Sequence, residues 1–62
     1  MLYRNILVDT GAQFGETFEA DTLGQAESIS RRTMNAAQRD YKEILTYYTQ
    51  CSVEGKWVTV IS

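Results

Sequence analysis

The sequence contains no histidine and no proline, and Cys51 is its only cysteine. Each absence removes a chemistry or a support. Without histidine there is no Ser/His or Cys/His pair for nucleophilic catalysis, and the usual nitrogen ligand of zinc is missing. A lone cysteine closes no internal disulfide. With no basic neighbour in sequence to activate it, Cys51 reads as a small buried hydrophobe in a strand rather than a nucleophile. An unpaired thiol also suits a reducing compartment, so the cytoplasm is the expected location. No apolar run approaches the roughly 20 residues that span a bilayer. The opening Met1-Leu2-Tyr3-Arg4-Asn5 carries neither the basic n-region nor the apolar h-region of a signal peptide.

What is present points to a folded domain. Hydrophobic residues make up 44% of a 62-residue chain, too many for a disordered segment and too short a chain for two cores, so one domain over residues 1–62 is expected. With neither disulfide nor metal to support so small a core, self-association or a partner is the expected additional support, and a homodimer is the simplest form of it. The charge is unevenly spread. Residues 1–27 hold Arg4 against Asp9, Glu16, Glu19, Asp21 and Glu27, a net −4. Residues 28–62 hold Arg31, Arg32, Arg39, Lys42 and Lys56 against Asp40, Glu43 and Glu54, a net +2. Such asymmetry can orient a domain on a partner.

The run Leu2 to Val8 is rich in strand formers, with Leu2, Ile6 and Val8 on one face and Tyr3 and Leu7 on the other. Asp9-Thr10-Gly11 reads as a turn, and Phe14, Phe18 and Ala20 alternate with Thr17 and Glu19 as a second strand, giving a hairpin. Thr22-Leu23-Gly24-Gln25 has the form of a capping box and opens a helix whose inward face is expected to comprise Ala26, Ile29, Thr33, Ala36 and Ala37. Nothing between Met34 and Tyr48 breaks the helical spacing, so one reading extends the helix to about Gln50. The favoured reading instead begins a strand near Ile44, because Ile44 to Val53 is dense in β-branched and aromatic residues. Glu54-Gly55 then forms a hairpin turn that sets Cys51 against Val58, Ser52 against Trp57 and Thr49 against Val60. The expected class is α+β: a small antiparallel sheet with one helix on one face, in the order ββαββ, or ββαβ with the longer helix.

Three surfaces are candidates for binding. Asp9, Glu16, Glu19 and Asp21 form an acidic set suited to cationic groups on a protein partner. Their spacing matches no dedicated cation loop such as the EF-hand, and Gly11 and Gly15 lack the Lys-Ser/Thr of a phosphate loop, so no metal or cofactor is expected. Arg31, Arg32, Arg39 and Lys42 are suited to phosphate contacts, though adjacent arginines lie about 100° apart on a helix and cannot all share a face. Tyr48, Trp57 and Ile61 are placed on one sheet face by the expected hairpin register, as core or as an exposed patch of the kind enriched at interfaces. Whichever face the helix covers, Leu45, Tyr47, Cys51, Val53, Val58 and Val60 lie on the other, which is the main reason to expect a second cover.

In its size, acidity and single cysteine the chain resembles the small accessory proteins that phages and mobile elements encode to inhibit or redirect host machinery, anti-CRISPR and other anti-defence proteins among them. No residue carries over from that resemblance. It implies a non-enzymatic protein-binding module acting in the host cytoplasm, with no catalytic residues. The alternative is a dimeric nucleic-acid-binding regulator that uses the basic helix.

Overall fold

The computed structural model describes all 62 residues. Strand β1 (Leu2–Leu7) and strand β2 (Gln13–Glu19) precede helix α1 (Leu23–Tyr41), and strands β3 (Tyr47–Val53) and β4 (Lys56–Ile61) follow it. The four strands form one antiparallel sheet in the order β2-β1-β3-β4, so the two hairpins meet along β1 and β3 and α1 carries the chain from one hairpin to the other. The fold is α+β.

Helix α1 begins where the capping chemistry places it. The Thr22 side-chain oxygen accepts from the Gln25 backbone N–H at 3.1 Å. The returning bond differs by one residue from the standard box, since the Gln25 side chain accepts from the N–H of Asp21 at 2.7 Å rather than from that of Thr22. The helix does not run on to Gln50. It stops at Tyr41 because Lys42 adopts a left-handed conformation (φ 56°), which ends the intrahelical ladder. The strand that follows starts at Tyr47, later than Ile44, and Ile44 itself projects into solvent, 90% exposed.

The buried stripe of α1 is Ala26, Ser30, Met34 and Ala37. Thr33, expected to face inward, is exposed, while Met34 is fully buried. The reason lies in Ser30, a polar residue that a hydrophobicity pattern rejects but that the core satisfies. Its hydroxyl donates to the Asn5 side-chain oxygen at 2.8 Å, and the Thr49 hydroxyl donates to the same oxygen at 2.9 Å. Asn5 on β1, Thr49 on β3 and Ser30 on α1 are all buried, so one amide ties the two central strands to the helix. Beside this polar centre, Tyr3, Ala20, Ala26 and Cys51 form an apolar cluster, with Phe18 and Ile29 packed against it. The Tyr3 and Phe18 rings stack with centroids 5.8 Å apart. Small residues on α1 let the helix approach the sheet, and Met34 fills the remaining depth.

Strand irregularities set which residues face the helix. On β2, Phe14 and Phe18 are four positions apart while their partners Asn5 and Tyr3 are two apart. Gly15 (φ 72°) lies inside the resulting bulge, where a left-handed backbone is needed, and both phenylalanines remain on the α1 side. In the second hairpin Glu54 and Gly55 both have positive φ (50° and 79°), the pattern of a type I′ turn. Cys51 faces Val58 and Ser52 faces Trp57 as the turn dictates, but the register shifts by one beyond Gln50, so Thr49 pairs with Ile61 and not with Val60.

Candidate interaction face

Side chains alternate along a strand, so the positions between Tyr3 and Asn5 and on either side of Thr49 belong to the sheet face turned away from α1. The ladders place Arg4 opposite Gln50 and Gln50 opposite Thr59, a row that crosses β1, β3 and β4. Ile6 pairs with Tyr48, and Ser52 pairs with Trp57, on the same side. The row is joined by hydrogen bonds: Arg4 Nε donates to Gln50 Oε1 at 2.9 Å, and Gln50 Nε2 to Thr59 Oγ1 at 3.4 Å. The Arg4 guanidinium also lies over the Trp57 ring, 4.3 Å from its centroid. Nearest-neighbour packing of this kind holds a long side chain in one place and orients its remaining donors.

Arg4 has no carboxylate partner. The two salt bridges of the molecule join the Met1 amino group to Glu19 at 3.0 Å and Arg31 to Glu27 at 2.7 Å. The terminal Nη donors of Arg4 hydrogen-bond to no protein group, and only Nε is engaged. Along β2 the register places Glu19 opposite Leu2 on this face, but its charge is taken up by the Met1 amino group.

The predicted surfaces are rearranged by the fold. Tyr48 and Trp57 share the face opposite α1, both half-buried, whereas Ile61 is carried to the α1 side by its pairing with Thr49. The four carboxylates do not form one patch: Asp9 lies in the β1–β2 turn, Glu16 within β2, Glu19 at the last position of β2 and Asp21 just beyond it, these two roughly 20 Å from the turn at a strand's rise per residue. On the helix, Arg31 is paired with Glu27, and Lys42 is the C-cap. Arg32 and Arg39 are exposed and seven residues apart, two turns along the side of α1 opposite its buried stripe.

The apolar sheet surface expected to need a second cover is placed differently by the fold. Helix α1 covers the side that carries Cys51 and Thr49, and the opposite side interleaves Ile6, Tyr48 and Trp57 with hydrogen-bonded Arg4, Gln50 and Thr59. The apolar surface left open is on the β4 side of the α1 layer. Val53, Val58 and Val60 are 40%, 46% and 37% exposed there and along that edge strand.

The surface holds no pocket, and no group of three or more His, Cys, Asp or Glu side chains is placed to hold a metal ion. Arg4, Gln50 and Thr59 were not singled out in the sequence. The hairpin register from Glu54-Gly55 already aligns Gln50 with Thr59, but the β1–β3 pairing that brings Arg4 beside them joins residues 46 apart in the chain and leaves no local signal. The Tyr3 phenol is pushed above its ordinary value, first by burial and then by the Cys51 side chain beside it, a property of the core rather than of this face. No protein-family model, curated protein or solved structure matches the chain at a significant level.

Proposed function

We propose that the chain is a non-enzymatic protein-binding module of the inhibitor or adaptor type, acting in the cytoplasm, and that it engages its partner with the sheet face opposite α1. The observation that carries this reading is the grouping of Arg4, Tyr48 and Trp57 on one face that no other element covers. Arginine, tyrosine and tryptophan are the residue types that dominate interface energetics, and here two of the three are held in place by stacking. Paired strands position such groups more firmly than loops do, which lowers the entropy lost on binding. A shallow face without a pocket suits a macromolecular surface better than a small substrate.

The test is affinity capture from the native cell extract with the unaltered chain and with Tyr48→Ala and Trp57→Ala variants shown to be folded by circular dichroism. A stoichiometric protein partner that is lost with either variant supports the reading. A partner retained by both variants removes this face from it, and retention on heparin that depends on Arg32 and Arg39 favours the basic helix and nucleic acid instead.

Self-association through β4 is a second reading, favoured by the exposed Val53, Val58 and Val60 beside an unpaired strand edge. Light scattering across a concentration series tests it: a monomer at high micromolar concentration rejects it.

A further inference from the structure

We infer that Arg4 is a carboxylate receptor, so that the protein segment docking on the face opposite α1 presents an aspartate or glutamate to its Nη donors. The inference rests on the face assigned under the proposed function and adds the chemistry of what meets it. Three observations lead to it. Arg4 has no anionic partner within the molecule, although the chain as a whole is acidic at net −2. Its guanidinium is already positioned, by Nε on Gln50 Oε1 at 2.9 Å and by the Trp57 ring at 4.3 Å. The donors left over are the pair that forms parallel bonds to a planar two-oxygen acceptor.

This arrangement differs from an ordinary surface arginine. A solvated arginine loses side-chain freedom when it binds an anion, whereas Arg4 has lost much of it already to Gln50 and Trp57. The indole beneath also removes water from one side of the guanidinium, which strengthens a charge-assisted bond on its open edge. Arg32 and Arg39 supply the contrast within the same molecule, being exposed on α1 with no carboxylate partner and no aromatic platform.

A carboxylate on a protein segment is favoured over a nucleic-acid backbone. A polyanion draws its affinity from several cations acting together. By register Arg4 is the one arginine or lysine of this face, and Arg31, Arg32 and Arg39 stand on the helix that packs against the other side of the sheet. Glu19 at the β2 end of the same face further disfavours a run of phosphates.

The experiment is an NMR titration of the full chain, following the Nε–Hε resonances of Arg4, Arg32 and Arg39 and the Trp57 indole N–H at constant ionic strength. The probes are N-acetyl-aspartate amide, N-acetyl-asparagine amide, inorganic phosphate and a ten-residue oligothymidylate. The expected result is a saturable response at Arg4 and Trp57 to the aspartate probe, about tenfold tighter than at Arg32 or Arg39, as one additional charge-assisted bond allows. The asparagine probe should leave both resonances unmoved. Arg4→Lys, which keeps the charge and loses the fork, should weaken the response to the level of the helix arginines.

Equal affinities at Arg4, Arg32 and Arg39 would overturn the inference, as would an equal response to the asparagine probe. Oligothymidylate binding on this face tighter than the aspartate probe would replace it with a nucleic-acid reading. These comparisons use the unaltered chain, so a misfolded variant does not decide them. If a protein captured through Tyr48 and Trp57 is held equally well by Arg4→Gln, the face stands and the carboxylate falls.

Discussion

Replacing Asn5 with alanine is expected to destabilise the protein by about 2–3 kcal/mol, more than any other change of a polar residue here, because each hydrogen bond lost is worth roughly 1 kcal/mol and a buried void is left besides. The Asn5 side-chain oxygen accepts from Ser30 at 2.8 Å and from Thr49 at 2.9 Å, and both hydroxyls are buried. Without the amide they keep only the longer contact with each other, 3.3 Å, in which a single bond can form between them. For a core of this size, total stability is about 3–5 kcal/mol, so the variant should sit near its unfolding midpoint at physiological temperature, with Tm lowered by about 10–20 °C. Urea unfolding followed by the fluorescence of Trp57, the only tryptophan, reads the change directly. Replacing the cluster as a unit, with Asn5→Leu, Ser30→Ala and Thr49→Val together, should cost within about 1 kcal/mol of nothing, since no donor or acceptor is then stranded. A cost below about 0.5 kcal/mol for Asn5→Ala, or a triple variant as unstable as the single one, would refute the argument that satisfaction of this amide holds helix and sheet together.

Other expectations follow from single geometries. Glu54 occupies a left-handed position that costs most residues with a Cβ about 1 kcal/mol and that asparagine tolerates through its short, locally hydrogen-bonding side chain, so Glu54→Asn should raise Tm by about 4–8 °C in a thermal melt. Thr22→Ala should lower stability by about 1 kcal/mol in urea, with additional fraying at the start of α1 by amide exchange. The raised pKa of Tyr3 means that the folded state binds this proton more tightly than the unfolded chain. Its contribution is complete below pH 10.0 and is lost as pH rises through the folded value, so an alkaline melting series should fall less steeply for Tyr3→Phe than for the unaltered protein. A double-mutant cycle on Arg4 and Trp57 should return a coupling of about 0.5–1 kcal/mol, and a value of zero would mean that the stack does not hold the guanidinium.

The parts of the fold that were legible in the sequence rest on local chemistry. Thr22 and Gln25 mark the helix start, Glu54-Gly55 fixes the turn and the first four cross-strand pairs from it, and the strand formers of β1 and β4 declare themselves. What was not legible depends on distant partners. Ser30 reads as a surface residue until Asn5 and Thr49 are brought to it, and the helical spacing of Met34 to Tyr48 gives no hint that Lys42 will turn left-handed. The extra residue in β4 beyond Thr59 moves Ile61 across the sheet, a change that residue types alone do not encode. The candidate site was half visible for the same reason: Tyr48 and Trp57 follow from one hairpin, whereas Arg4 joins them only through the pairing of the two hairpins.

The alternation of β1 and β3 also separates stability from binding at single-residue resolution. Arg4 precedes Asn5 and Tyr48 precedes Thr49, yet in each pair one side chain belongs to the buried polar centre and the other to the face turned away from it. Substitution of Arg4 removes stacking and a partly exposed hydrogen bond, losses in the range of surface effects, and substitution of either outward member leaves the inward amide and hydroxyls in place. Substitutions on the inward members strand buried donors and act on the whole fold. A domain of 62 residues has no spare layer to shield a binding face from its core. In this one the two-residue period of the strand supplies that separation, so alanine at Arg4, Tyr48 or Trp57 tests binding in a protein whose central contacts are intact.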